Sequence, residues 1–69
     1  MKGNEIEKVA FYQDNKIKVH IETRDLQFYN GLIIEHSDKH LIILDRYVGE
    51  VFVYFMEITS FEKFKEVKE

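Results

Sequence analysis

The sequence predicts an all-β fold: a small five-stranded, strongly bent antiparallel barrel after a short N-terminal helix. Three observations predict it. From Ile17 onward, apolar runs of strand length alternate with polar turns, and none is long enough for a buried helix. Proline is absent, so no run is interrupted by it. The longest run contains Gly31, and a glycine inside a strand marks a bulge, a sharp bend or a close backbone approach. A bend there would curl one sheet upon itself.

The elements follow in order. Asn4 and Glu7 resemble a capping box, and Ile6, Val9 and Ala10 share one helical face, predicting a helix over about residues 4–13. The competing reading is a strand through Val9, Phe11 and Tyr12 with a turn at Asp14-Asn15. Ile17, Val19 and Ile21 alternate with Lys18, His20 and Glu22 as a half-buried strand, and Thr23-Arg24-Asp25 is the turn. Leu26 to Glu35 is the second strand, with a bend at Asn30-Gly31 preferred over a hairpin. His36-Ser37-Asp38-Lys39-His40 is a polar loop, and Leu41 to Leu44 a third strand. Asp45 to Glu50 is a turn, Val51 to Tyr54 a fourth strand and Ile58 to Phe61 a fifth. Barrel residues run from about 16 to 64, and a charged tail occupies 65–69. The whole chain, 1–69, is expected to be one domain.

Size and composition narrow the function. A domain of 69 residues buries only roughly 60% of its unfolded surface, so its own core is marginal. Without cysteine, neither disulfides nor thiolate zinc can support it. Oligomerisation is the remaining remedy. Open strand edges, paired between copies, would supply it. No apolar run spans a membrane and no signal-peptide pattern opens the chain, so a cytoplasmic location is expected and no membrane partner. Thirteen acidic against ten basic residues argue against a generic nucleic-acid coat.

A set of segments over roughly residues 17–64 follows a familiar order. Val19 and Ile21 alternate before the turn Thr23-Arg24-Asp25, and Tyr29 stands two before Gly31. The loop His36–His40 precedes Leu41-Ile42-Ile43-Leu44-Asp45. Val53-Tyr54-Phe55-Met56-Glu57-Ile58-Thr59-Ser60 is similar to a Val-Tyr-Lys-His-Ala-Ile-Ser-Thr run. In this order the segments resemble the Sm-like (LSm/Hfq) family. Leu26 stands where that family carries a turn glycine, and Phe55 and Met56 replace its Lys-His pair. The Arg-Gly pair of Sm proteins is missing before Ile58. Without gaps the family's loop aspartate falls on Ser37 and its RNA-contacting asparagine on Leu41; sliding by one puts Asp38 at the aspartate and requires an insertion after Gly31.

The resemblance implies a hexameric or heptameric ring of copies of this chain, the fourth strand of one copy pairing with the fifth of the next. Val51, Phe52, Val53 and Tyr54, with Ile58, Thr59, Ser60 and Phe61, would form that interface. It also implies single-stranded RNA as partner, held in a pore by His36, Ser37, Asp38, Lys39, His40, Phe55 and Met56. The residue types fit that role. A carboxylate accepts from a base edge, an ammonium meets phosphate, and imidazole or phenyl stacks on a base. The plainer readings are a solvated loop and a Phe55 packed at a subunit boundary. Arg46 beside Tyr47 is a second stacking pair, and Phe61 and Phe64 cap the barrel or pack under the helix.

No metal site, cofactor or catalytic group is assigned. His36, Asp38 and His40 are ligand types without a ligand motif. Ser37 between His36 and Asp38 does not make a triad, which must meet in space rather than in sequence. Two alternatives to an RNA-binding ring remain: a protein-interaction ring without RNA, and a monomeric SH3-like adaptor.

Overall fold

The computed structural model describes residues 5–65. Helix α1 spans Glu5–Asp14 and five strands follow: β1 Val19–Thr23, β2 Phe28–His36, β3 His40–Asp45, β4 Gly49–Tyr54 and β5 Ile58–Lys63. One 3-10 turn, Phe55–Glu57, joins β4 to β5.

The N-terminal segment is helical, not a strand. Val9 is fully buried, and Ile6 and Tyr12 pack beside it one turn away on either side, so one stripe of α1 faces the core. The expected cap Asn4 lies outside the described residues, as do 66–69 of the tail. The other end of α1 closes by a Schellman pattern: Ile17 N–H donates to Tyr12 O at 3.0 Å and Lys16 N–H to Gln13 O at 3.2 Å. Lys16 takes the left-handed conformation this demands, with φ 53°. The β1–β2 turn makes the same demand on Leu26, with φ 65°.

All strand pairs are antiparallel and their spatial order is β4-β3-β2-β1-β5. Alternation sends Val19, Ile21, Ile33, Leu41, Ile43 and Val53 to one face, where they join Val9, Phe55, Ile58 and Phe61 in a single core. Each such aliphatic side chain, fully removed from water, contributes roughly 1.5–3 kcal/mol. Phe61 stacks on Tyr12 with centroids 5.7 Å apart, which fastens β5 to the helix.

The expected barrel is not formed. Among the described residues β4 pairs only with β3 and β5 only with β1, so the sheet is open, with β4 and β5 as its two edges. A closed barrel gives every strand two neighbours. Here the residues between β4 and β5 form a helical turn instead of a hairpin. That turn is anchored from outside, by Phe55 N–H to Lys39 O at 2.9 Å and Arg24 N–H to Glu57 O at 2.9 Å. The expected strong bend at Gly31 is also absent. Gly31 lies inside β2, in register with Val19 on one side and Asp45 on the other. It serves close approach: a Cβ there would stand 1.9 Å from Leu44 O. The irregularity in β2 comes three residues later. Ile33 faces Ile43 while Glu35 faces Ile42, so Ile34 is an extra residue, a bulge.

Candidate nucleic-acid interface

The β2–β3 connection is a tight hairpin organised by Ser37. Ser37 N–H donates to His40 O at 2.9 Å. Its Oγ accepts from the backbone N–H of Lys39 at 3.1 Å and of His40 at 3.3 Å, and lies 2.7 Å from His40 Nδ1. A hydroxyl bonding its own turn in this way fixes the loop and the imidazole together. Asp38 and Lys39 at the tip are exposed. The two loop histidines diverge. His36 turns to the helix, its Nδ1 2.5 Å from Gln13 Oε1, whereas His40 lies over Phe52, ring centroids 4.1 Å apart and 19° from parallel.

That stack begins an aromatic ladder on the face opposite the core. Tyr54 is the cross-strand partner of His40, and Phe52 its diagonal neighbour. Phe52 and Tyr54 meet edge-on at 4.9 Å. The two residues are 51% and 52% exposed. Sequence reasoning placed both in the subunit interface and missed this face. The available signal was the alternation Phe52, Tyr54 against Val51, Val53, which puts the two aromatics on one side.

Phe55 and Met56 part company. Phe55 is buried in the core, 7% exposed, so its ring presents no face to a base. Met56 is 68% exposed, and Arg24 Nε donates to its carbonyl at 3.0 Å. The bond from Phe55 N–H to Lys39 O brings their turn against the hairpin tip. Thus the structure gathers Ser37, Asp38, Lys39, His40 and the Phe55–Glu57 turn in one region, and sends His36 and the Phe55 ring elsewhere.

The expected interface residues lie on the two edge strands. Val53, Ile58 and Phe61 are buried in the chain's own core; Phe52, Tyr54 and Thr59 are exposed. A cleft of about 300 Å³ adjoins β4, lined by Thr23, Asp25, Tyr29, Phe52, Tyr54 and Glu57 among others. At the other end of β3, Asp45 organises the β3–β4 turn. Its Oδ1 accepts from Tyr47 N–H at 2.8 Å and Val48 N–H at 3.0 Å, and its Oδ2 from Asn30 N–H at 3.0 Å. Burial pushes the carboxyl up, but these three bonds and the nearby Arg46 outweigh it, and its pKa falls below the ordinary 3.8. Arg46 lies 5.1 Å from the centroid of the exposed Tyr47 ring. His20 is half-buried on the outer face, Nδ1 2.6 Å from Asn30 Oδ1 and stacked on Phe28. Among the described residues no group of three His, Asp or Glu side chains is placed to hold a metal ion, and no helix is long and apolar enough to cross a membrane.

No protein-family model and no curated protein matches the chain. Solved structures do. A 1.55 Å crystal structure of the pleiotropic translational regulator Hfq superposes with a TM-score of 0.77 at 12% sequence identity, covering 86% of this chain and 97% of that one. At that identity the match speaks to architecture, and the chain shares the Sm-like fold of Hfq.

Proposed function

We propose that this protein binds single-stranded RNA without chemistry, as a homo-oligomeric Sm-like ring. The observation that carries the reading is the half-exposed ladder His40–Phe52–Tyr54 beside the Ser37-organised hairpin, on a chain with the Hfq fold. Aromatic faces accept any base, at about 1–3 kcal/mol per stacked base. Lys39 at the hairpin tip supplies a phosphate contact and Asp38 an acceptor for a base edge. The bulge at Ile34 supports the alignment that puts Asp38 at the family's loop aspartate, because it is a one-residue insertion after Gly31. The open edges support the ring. β4 and β5 each present unpaired backbone groups, and pairing β4 of one copy with β5 of the next satisfies both. Repetition around a ring turns weak single contacts into avidity. The test is a fluorescence-polarisation titration of homopolymer RNAs at two salt concentrations, with native mass spectrometry on the same sample. Binding that weakens with salt, by an oligomer, is expected; a folded protein that binds none of the RNAs at low salt refutes the reading.

A second reading is a protein-interaction ring without RNA. The exposed Met56 and the carboxylates of Asp25 and Glu57 beside the β4 cleft favour it. It predicts the same oligomer and no RNA binding.

A further inference from the structure

A second cleft, of about 380 Å³, shares no residue with the hairpin, the aromatic ladder or the 3-10 turn. It arises from the topology. β1 and β3 engage successive parts of β2 and overlap only at Gly31, the common partner of Val19 and Asp45. Lys18 and Phe64 form one wall, tied by Phe64 N–H to Lys18 O at 2.9 Å; Leu44 and Arg46 form the other, and Leu32 lies between. Leu32, Leu44 and Phe64 are apolar. Lys18 and Arg46 make no ion pair with any described residue. Two further polar side chains line the cleft, Asp45 and Asn30, and both are engaged elsewhere. The Asp45 carboxylate takes three backbone N–H bonds, and the Asn30 carbonyl oxygen faces His20. The Asp45 carboxylate stays ionised beside Arg46, so the two cations against one carboxylate leave the cleft lining a net charge of about +1, in a chain whose net charge is −3.

We propose that this cleft binds a small amphipathic anion, its apolar body against Leu32, Leu44 and Phe64 and its carboxylate or phosphate head between Lys18 and Arg46. The volume lies within the range of about 300–1,000 Å³ common to small-ligand sites, and apolar walls with a few placed charges are their usual chemistry. Charge-assisted bonds from a guanidinium and an ammonium supply orientation. This inference stands apart from RNA binding at the hairpin.

The test is a two-dimensional amide NMR titration of the full chain with octanoate, octan-1-ol and inorganic phosphate. Octanoate should shift the Leu32, Leu44 and Arg46 amides saturably. Octanol should bind about tenfold more weakly or worse, and phosphate alone should not saturate. Arg46→Gln and Lys18→Gln should each weaken octanoate by about tenfold while the spectrum stays dispersed. Equal binding of octanol, unchanged binding by both variants, or shifts centred on other residues would overturn the proposal. So would polyuridylate shifting the same amides, which would make the cleft part of an RNA surface.

Discussion

Replacing Gly31 by alanine tests the account of the sheet at its tightest point. The added Cβ would stand 1.9 Å from Leu44 O, 2.8 Å from Leu44 C and 3.4 Å from Asp45 Cα. Non-bonded heavy atoms settle at about 3.5–4.0 Å, so strands β2 and β3 must separate by roughly 1.5 Å there. The obstructing atoms are backbone and cannot swing away as a side chain would. Overpacking of this kind destabilises by about 1–3 kcal/mol, and each ladder hydrogen bond opened adds about 1 kcal/mol. A loss of about 3–4 kcal/mol is expected, a large part of a typical stability of about 5–15 kcal/mol. Urea unfolding followed by circular dichroism reads it as a fall in midpoint at unchanged slope. A Gly31→Ala protein within about 0.5 kcal/mol of the parent would show that β2 and β3 do not approach as described.

Three further outcomes follow from other parts of the molecule. Leu26 and Lys16 hold left-handed backbone that disfavours side chains by about 1–2 kcal/mol, partly offset by the chain entropy of glycine. Leu26→Gly and Lys16→Gly should therefore each stabilise by about 0.5–1 kcal/mol, additively, in the same urea assay. Asp45→Ala should destabilise by about 2–3 kcal/mol by orphaning three backbone donors. The folded pKa of Asp45 is depressed, so its contribution is present above the unfolded value near 3.8 and is lost as pH falls through the lower folded value. Asp45→Asn should flatten that acid limb in pH-dependent melts. Finally, Phe52→Ala and Tyr54→Ala should each weaken RNA binding by about tenfold with the fold intact, whereas His36→Ala, whose ring faces Gln13, should not; polarisation titrations separate the two outcomes.

Much of this architecture is legible in the chain because strands announce themselves by period two. Val19, Ile21 and Leu41, Ile43 mark β1 and β3 to within a residue or two. What stayed hidden belongs to other physics. Leu32-Ile33-Ile34 is apolar throughout, which masks the bulge at Ile34. Lys16 and Leu26 hold positive φ without being the glycine or asparagine that signals it. The Phe55–Glu57 turn is too short to have a period, so Phe55 read as a base-stacking or subunit-boundary residue and is core. Closure of a sheet depends on pairing between distant strands, which no local pattern specifies, and the expected barrel proved open. The stack of His40 on Phe52 depends on β3–β4 register in the same way. The turn from Asp45 to Glu50 was legible, because an aspartate opening a turn that reaches a glycine is a recognisable signal; the three backbone bonds its carboxylate accepts were not.

The RNA-binding surface proposed for the hairpin and the ladder stands or falls on one titration. That measurement is a low-salt titration of labelled polyuridylate and polyadenylate onto the parent protein and the Tyr54→Ala variant, both verified as folded. Saturable binding by the parent to at least one polymer and about tenfold weaker binding by the variant are expected. Absence of binding by the parent, or equal binding by the two, would contradict the proposed surface.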